Sequence, residues 1–105
     1  VTDRHNADKL LYLCGDLRNP EWFFKAEREI VWLTDYTVVN PAKARDTLLE
    51  RLRYCVDAAD LVVVLPGYLT SSEALTEAMY AKTVGIEVKL FEDVVAPFDN
   101  VRDCD

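Results

Sequence analysis

The chain has 105 residues, of which 50% are hydrophobic and 30% charged, with a formal net charge of −7. That length holds a single domain with a real core, and no apolar run approaches the roughly 18 residues of a membrane span. The acidic balance argues against nucleic acid, which selects a basic face. The opening VTDRHNAD is polar and mixed in charge, unlike a signal or transit peptide. Cys14, Cys55 and Cys104 show no metal-ligand spacing, and the single histidine, His5, lies in the polar leader. The expectation is a cytoplasmic protein with reduced thiols, no metal site and no membrane partner.

In chain order, a flexible leader (1–9) precedes a first strand at 10–14 (LLYLC), which ends at Gly15. A loop then reaches Asn19-Pro20, a cap followed by a proline at the first helical position. Trp22, Phe23, Ala26, Ile30 and Leu33 recur at helical spacing. A β-branched strand follows at 36–39. Asn40-Pro41 repeats the cap-and-proline device and opens a second helix with the stripe Leu48, Leu49, Leu52, Cys55, Val56 and Ala59. The most apolar strand, 61–65, is broken by Pro66-Gly67. A third helix at 71–84 stops at Gly85, and a fourth strand occupies 86–90. The remainder, 92–105, reads as an acidic tail in which Val94-Val95 could add a fragment of edge strand.

Strands and helices alternate throughout, which predicts an α/β fold: a flavodoxin-like three-layer sandwich occupying residues 10–91. Its doubly wound parallel sheet has four to five strands in the order 2-1-3-4(-5). In such a sheet the residues directly after each strand form the ligand crevice. Gly15, Asp16 and Arg18 lie there, as do Asn40, Asp46, Gly67, Ser71 and Ser72. Asp57 and Asp60 fall at the opposite edge and read as solvated turn acids. Three helix amino termini at the crevice, with Ser71, Ser72 and Arg18, offer donors for a small anionic ligand. There is no G-x-G-x-x-G and no G-x-x-x-x-G-K-[ST].

Two glutamates of the third helix read differently. Thr70-Ser71-Ser72-Glu73 fits a capping box, which gives Glu73 a structural role. Glu77 lies one turn further in and has Ala81, not a cation, four positions on. Spacing alone leaves it either a solvent-facing helix residue or a crevice carboxylate.

The segments YLCGD, NPEWFFKAE, VVNPA and LPGY, followed by SSEALTEAMYAKTVGIEV, together resemble the nucleoside 2-deoxyribosyltransferase-like superfamily. The resemblance is to its branch of small phage and bacterial proteins. It implies the flavodoxin-like fold and cleavage or exchange of the N-glycosidic bond of a nucleoside or nucleoside 5′-monophosphate. By that resemblance Glu77 is the nucleophile and Tyr12 holds its carboxylate. Gly15, Asp16, Arg18, Ser71 and Ser72 bind sugar and phosphate, and no cofactor is needed. The chain departs from the pattern at Glu73, which replaces a glycine, and at Leu52, which replaces an acid of the second helix; Asp46 is the candidate to take that acid's place. Two other functions share the pocket: a non-catalytic module that binds or sequesters a nucleotide, and a glycohydrolase of NAD-like dinucleotides. A short sheet with open edges also predicts a homo-oligomer.

Overall fold

The computed structural model describes residues 9–96. Four strands, β1 (Leu10–Cys14), β2 (Thr37–Val39), β3 (Leu61–Val64) and β4 (Glu87–Leu90), form one sheet in the order β2-β1-β3-β4. Every pairing is parallel, with Tyr12 opposite Val39 on one side and Val62 on the other. The fold is the predicted α/β sandwich.

Alternation along the strands assigns each residue to one of two cores. Leu11 and Leu13 of β1, with Leu61, Val63 and Leu65, pack under α1 (Pro20–Leu33) through Phe23, Ala26 and Ile30. Tyr12 and Cys14, with Val62 and Val64, face the other way. They are covered by Val56 and Ala59 and by Ala74, Ala78 and Ala81 of α3 (Ser72–Thr83). The small alanines bring α3 close to the sheet, so a long polar side chain on its inner face lies within reach of β1.

The connections show where local chemistry departs from the predicted elements. Asn19 makes no side-chain cap bond to α1. Its own N–H closes a turn on the Asp16 carbonyl at 2.9 Å. Asn40-Pro41 opens only a 3₁₀ turn, Pro41–Lys43, with the Asn40 side chain accepting from the Ala42 N–H. The second helix begins later, at α2 (Leu48–Glu50), where Thr47 and Glu50 form a reciprocal capping box. α2 continues directly into a π-helical segment, Arg51–Val56, whose widened turn is marked by the bond from Asp57 N–H to the Leu52 carbonyl. Leu49, expected in the buried stripe, is exposed.

After β3, Leu65-Pro66-Gly67-Tyr68 forms a turn closed by Tyr68 N–H on the Leu65 carbonyl, with Gly67 at φ +86°. Proline then left-handed glycine is the type II arrangement. Residues 91–95, where Val94-Val95 could have made an edge strand, instead form α4 (Phe91–Val95). Phe91 and Val95 insert beside α1, with Phe91 edge-on to Trp22. Period-four spacing of two large apolar residues suits a helix against a core better than a half-exposed strand. Asp60, at the opposite edge from the crevice as expected, accepts the Leu10 N–H at 2.9 Å and so ties down the start of β1. Cys14 is buried, Cys55 is half-buried, and both are free thiols. His5 and Cys104 lie outside the described residues, as do the rest of positions 1–8 and 97–105. Among the described residues no helix is long and apolar enough to cross a membrane.

Candidate active site

Glu77 points inward from α3 and is only 3% exposed. A buried carboxylate needs partners, because desolvation penalises its charged form. Tyr12, fully buried on β1, donates its hydroxyl to Glu77 Oε2 at 3.0 Å. Arg51, the first residue of the π-helical segment, donates Nε to the same oxygen at 2.7 Å. Glu77 Oε1 takes neither bond. Cys14 lies one strand step away and gives its Sγ–H to the Ala74 carbonyl at 3.1 Å.

Arg51 is itself buried, with 5% of its side chain exposed. Its Nη1 donates to the Asp46 carbonyl at 2.5 Å and its Nη2 to Glu73 Oε1. Glu73 is therefore not the third residue of a capping box. Ser71 is the cap of α3, accepting from Ala74 N–H through its Oγ, which places Glu73 one position too early to reach back. It pairs with Arg51 instead, its own side chain 53% exposed at the pocket mouth.

Glu77 and Arg51, with Tyr12 buried behind Glu77, lie at the floor of a pocket of about 280 Å³, near the lower end of the range for small-molecule sites. Gly15, Asp16, Leu17 and Arg18 of the β1–α1 loop line one wall. Thr70, Ser71, Ser72 and Glu73 at the start of α3 line the other, with Arg51 and Glu77 between. Packing favours Gly15 here, since a Cβ would lie 3.1 Å from Leu65 Cβ and 3.3 Å from the Phe23 ring, tighter than ordinary contact. Asp16 caps its own loop by accepting Arg18 N–H, and it holds the Arg18 guanidinium through Nε and Nη2, at 2.9 and 2.7 Å. Arg18 Nη2 also reaches the Thr70 carbonyl at 3.2 Å, linking the two walls.

The electrostatics follow from these contacts. Burial pushes the Glu77 carboxyl above its ordinary value, and the bonds from Arg51 and Tyr12 pull against that rise. Burial, reinforced by the Glu77 charge, raises both the Tyr12 phenol and the Cys14 thiol far above their usual ranges, so both stay protonated. The Arg18 guanidinium holds the Asp16 carboxyl down at about 2.

Of the residues singled out from sequence, Tyr12, Gly15, Asp16, Arg18, Ser71, Ser72 and Glu77 are brought together at this pocket. Asn40, Asp46 and Gly67 are not among its lining. Asn40 is buried against α1, donating Nδ2–H to Glu27 at 3.0 Å, with Lys43 on the other Glu27 oxygen. Asp46 contributes its backbone carbonyl to Arg51. Gly67 serves the turn after β3. Glu77, which spacing left open to solvent, is the most deeply placed acid of the pocket. Sequence reasoning passed over Arg51. The available signal was its position, three residues after Leu48 and four before Cys55, within an otherwise apolar stripe.

Residues 11–90 match the family described as a domain of unknown function, DUF4406. The chain belongs to that family. The DUF4406 match runs from β1 through β4 and so includes every pocket residue named above. No curated protein and no solved structure matched the sequence.

Proposed function

We propose that this DUF4406 protein cleaves the N-glycosidic bond of a nucleoside or nucleoside 5′-monophosphate, with Glu77 as nucleophile. The observation that carries the reading is the Tyr12–Glu77 hydrogen bond at the floor of an open pocket. Both donors converge on Oε2 and anchor it, and Oε1 is the oxygen assigned to the sugar carbon. As the C1′–N bond lengthens, positive charge develops at C1′, and Oε1 stabilises or captures it. The bond pair leaves with the base, which takes a proton from solvent. Water or a second base then attacks C1′ and releases Glu77, giving hydrolysis or transfer. Tyr12 and Arg51 supply orientation, the component of such catalysis that a mobile side chain forfeits.

Incubation with a panel of nucleosides and their 5′-monophosphates, with chromatography for free base, tests the reading. Base release that disappears in Glu77→Ala is expected. No release from any of them, or full activity in Glu77→Ala, would overturn it.

One observation favours a second reading, a module that binds a nucleotide without turning it over. The Arg51 guanidinium covers Glu77, and an ion-paired carboxylate is a weaker nucleophile than a free one. Tight calorimetric binding with no free base would identify that case. We also propose that copies of the chain associate. β2 and β4 are open sheet edges, and Val31 and Trp32 stand 55% and 82% exposed on α1. A monomer in light scattering would contradict this.

A further inference from the structure

We infer that Glu73 is a specificity-determining residue that occupies the anion seat of the pocket and restricts it to nucleosides with an uncharged 5′ end. The inference rests on the N-glycosidase reading of the same pocket and narrows its substrate class. It follows from a count of charges and of what each is already bound to. The lining holds three carboxylates, Asp16, Glu73 and Glu77, and two guanidiniums, Arg18 and Arg51.

Arg51 cannot turn to a phosphate without releasing a carboxylate, and Arg18 keeps only Nη1 outside its hold on Asp16 and the Thr70 carbonyl. Arg18 gives Nε and Nη2 to Asp16. Arg51 has all three nitrogens engaged, on Glu77, on the Asp46 carbonyl and on Glu73. A phosphate drawing Arg51 away would leave Glu73 unpaired beside it, and one drawing Arg18 away would do the same to Asp16. Glu73 also sits in the first turn of α3, where a negative charge already answers the positive helix end that a phosphate would otherwise use. A hydroxymethyl group meets none of these costs. It needs only hydrogen-bond partners, which Ser71 and Ser72 of that wall can offer, since Ser71 Oγ accepts from the Ala74 N–H and keeps its own O–H. Selection by leaving the wrong ligand's charge unmatched is strong where neutral contacts alone discriminate weakly.

The test pairs a nucleoside with its own 5′-monophosphate and measures base release and calorimetric affinity for wild type, Glu73→Asp and Glu73→Gln. Wild type is expected to favour the nucleoside at least ten-fold. Glu73→Gln should shrink or reverse that ratio by ten-fold or more, while Glu73→Asp keeps it. A ratio taken on one preparation cancels any loss of folded protein. A wild-type preference for the monophosphate, or a ratio unchanged in Glu73→Gln, overturns the inference. Nucleoside-selective binding without base release would sustain the role of Glu73 while removing the catalytic reading. Binding of neither ligand would remove both.

Discussion

Tyr12 and Glu77, 65 positions apart in the chain, meet at 3.0 Å across the β1–α3 interface. The phenol is fully buried and held far above its normal ionisation range by desolvation and by the adjoining carboxylate. It therefore remains a donor at any pH the protein meets. Tyr12→Phe removes that donor and little volume. A hydrogen bond to a charged group contributes about 1.5 to 3 kcal/mol, so the variant should fold with a lowered urea midpoint. If Glu77 attacks C1′, losing one of its two anchors should reduce kcat by about 10- to 100-fold, because small misplacements of a reacting group are costly. KM should change little. Steady-state kinetics beside urea titration separates the two effects, and an unchanged kcat would remove Tyr12 from the mechanism.

Arg51 offers a sharper test of what holds the site together. It and Glu77 are both buried, at 5% and 4% side-chain exposure. Removing one partner of such a pair strands the other charge, a loss of about 3 to 5 kcal/mol, whereas replacing both by apolar side chains is often neutral. Arg51→Met should be severely destabilised, and Arg51→Met/Glu77→Leu should recover most of the loss. Denaturant unfolding of the two singles and the double gives the coupling energy directly. Additive losses would mean that the pair is not a unit.

The pH dependence has a definite sign. Burial raises the Glu77 carboxyl above the ordinary glutamate value of 4.5, with Arg51 and Tyr12 opposing. Attack requires the carboxylate, so the rate should fall as pH drops through a point above 4.5, the acid limb of the profile. Stability runs the other way for this group. A raised native value means the folded state holds its proton more tightly. The contribution of Glu77 is then complete below its unfolded value and is lost as pH climbs through the folded one. Asp16, held near 2 by Arg18, stays ionised throughout and adds no limb in that window. A kcat/KM profile from pH 4 to 8 should show a single acid limb. Weakening the Arg51 contact by Arg51→Lys should move that limb upward.

The sheet order was legible because β1, β2 and β3 are short apolar or β-branched runs that end at Gly15, Asn40-Pro41 and Pro66-Gly67, and β4 follows Gly85; parallel connectivity then fixed which loops face the crevice. The two faces of β1 were left unassigned by the sequence; in the fold, alternation puts Leu11 and Leu13 on one and Tyr12 and Cys14 on the other. The site was legible only in part. Glu77 looked unpartnered because its cation lies 26 positions earlier, on a different helix, and local spacing sees only neighbours on the same helix. Glu73 looked like a cap because a one-residue shift of the helix start, from Thr70 to Ser71, lies below the resolution of pattern reading. α4 was missed for a related reason, since a five-residue helix has too few turns to display a period.

A last prediction separates the fold from the site. Gly85 ends α3 at φ +89° in a Schellman arrangement. Its N–H bonds to the Lys82 carbonyl at 3.2 Å, and the Ile86 N–H bonds to the Ala81 carbonyl at 2.8 Å. A Cβ there would meet nothing within 4 Å, so Gly85→Ala introduces backbone strain and no clash. That strain should cost about 1 to 2 kcal/mol, read as a lower urea midpoint at unchanged slope. The turn precedes β4 and therefore lies at the sheet edge opposite the pocket, so ligand binding and base release by the folded protein should match wild type. A variant that loses stability there without losing function is the control for Glu73, Arg51 and Glu77. It shows whether a loss at those positions exceeds what destabilisation of α3 alone produces.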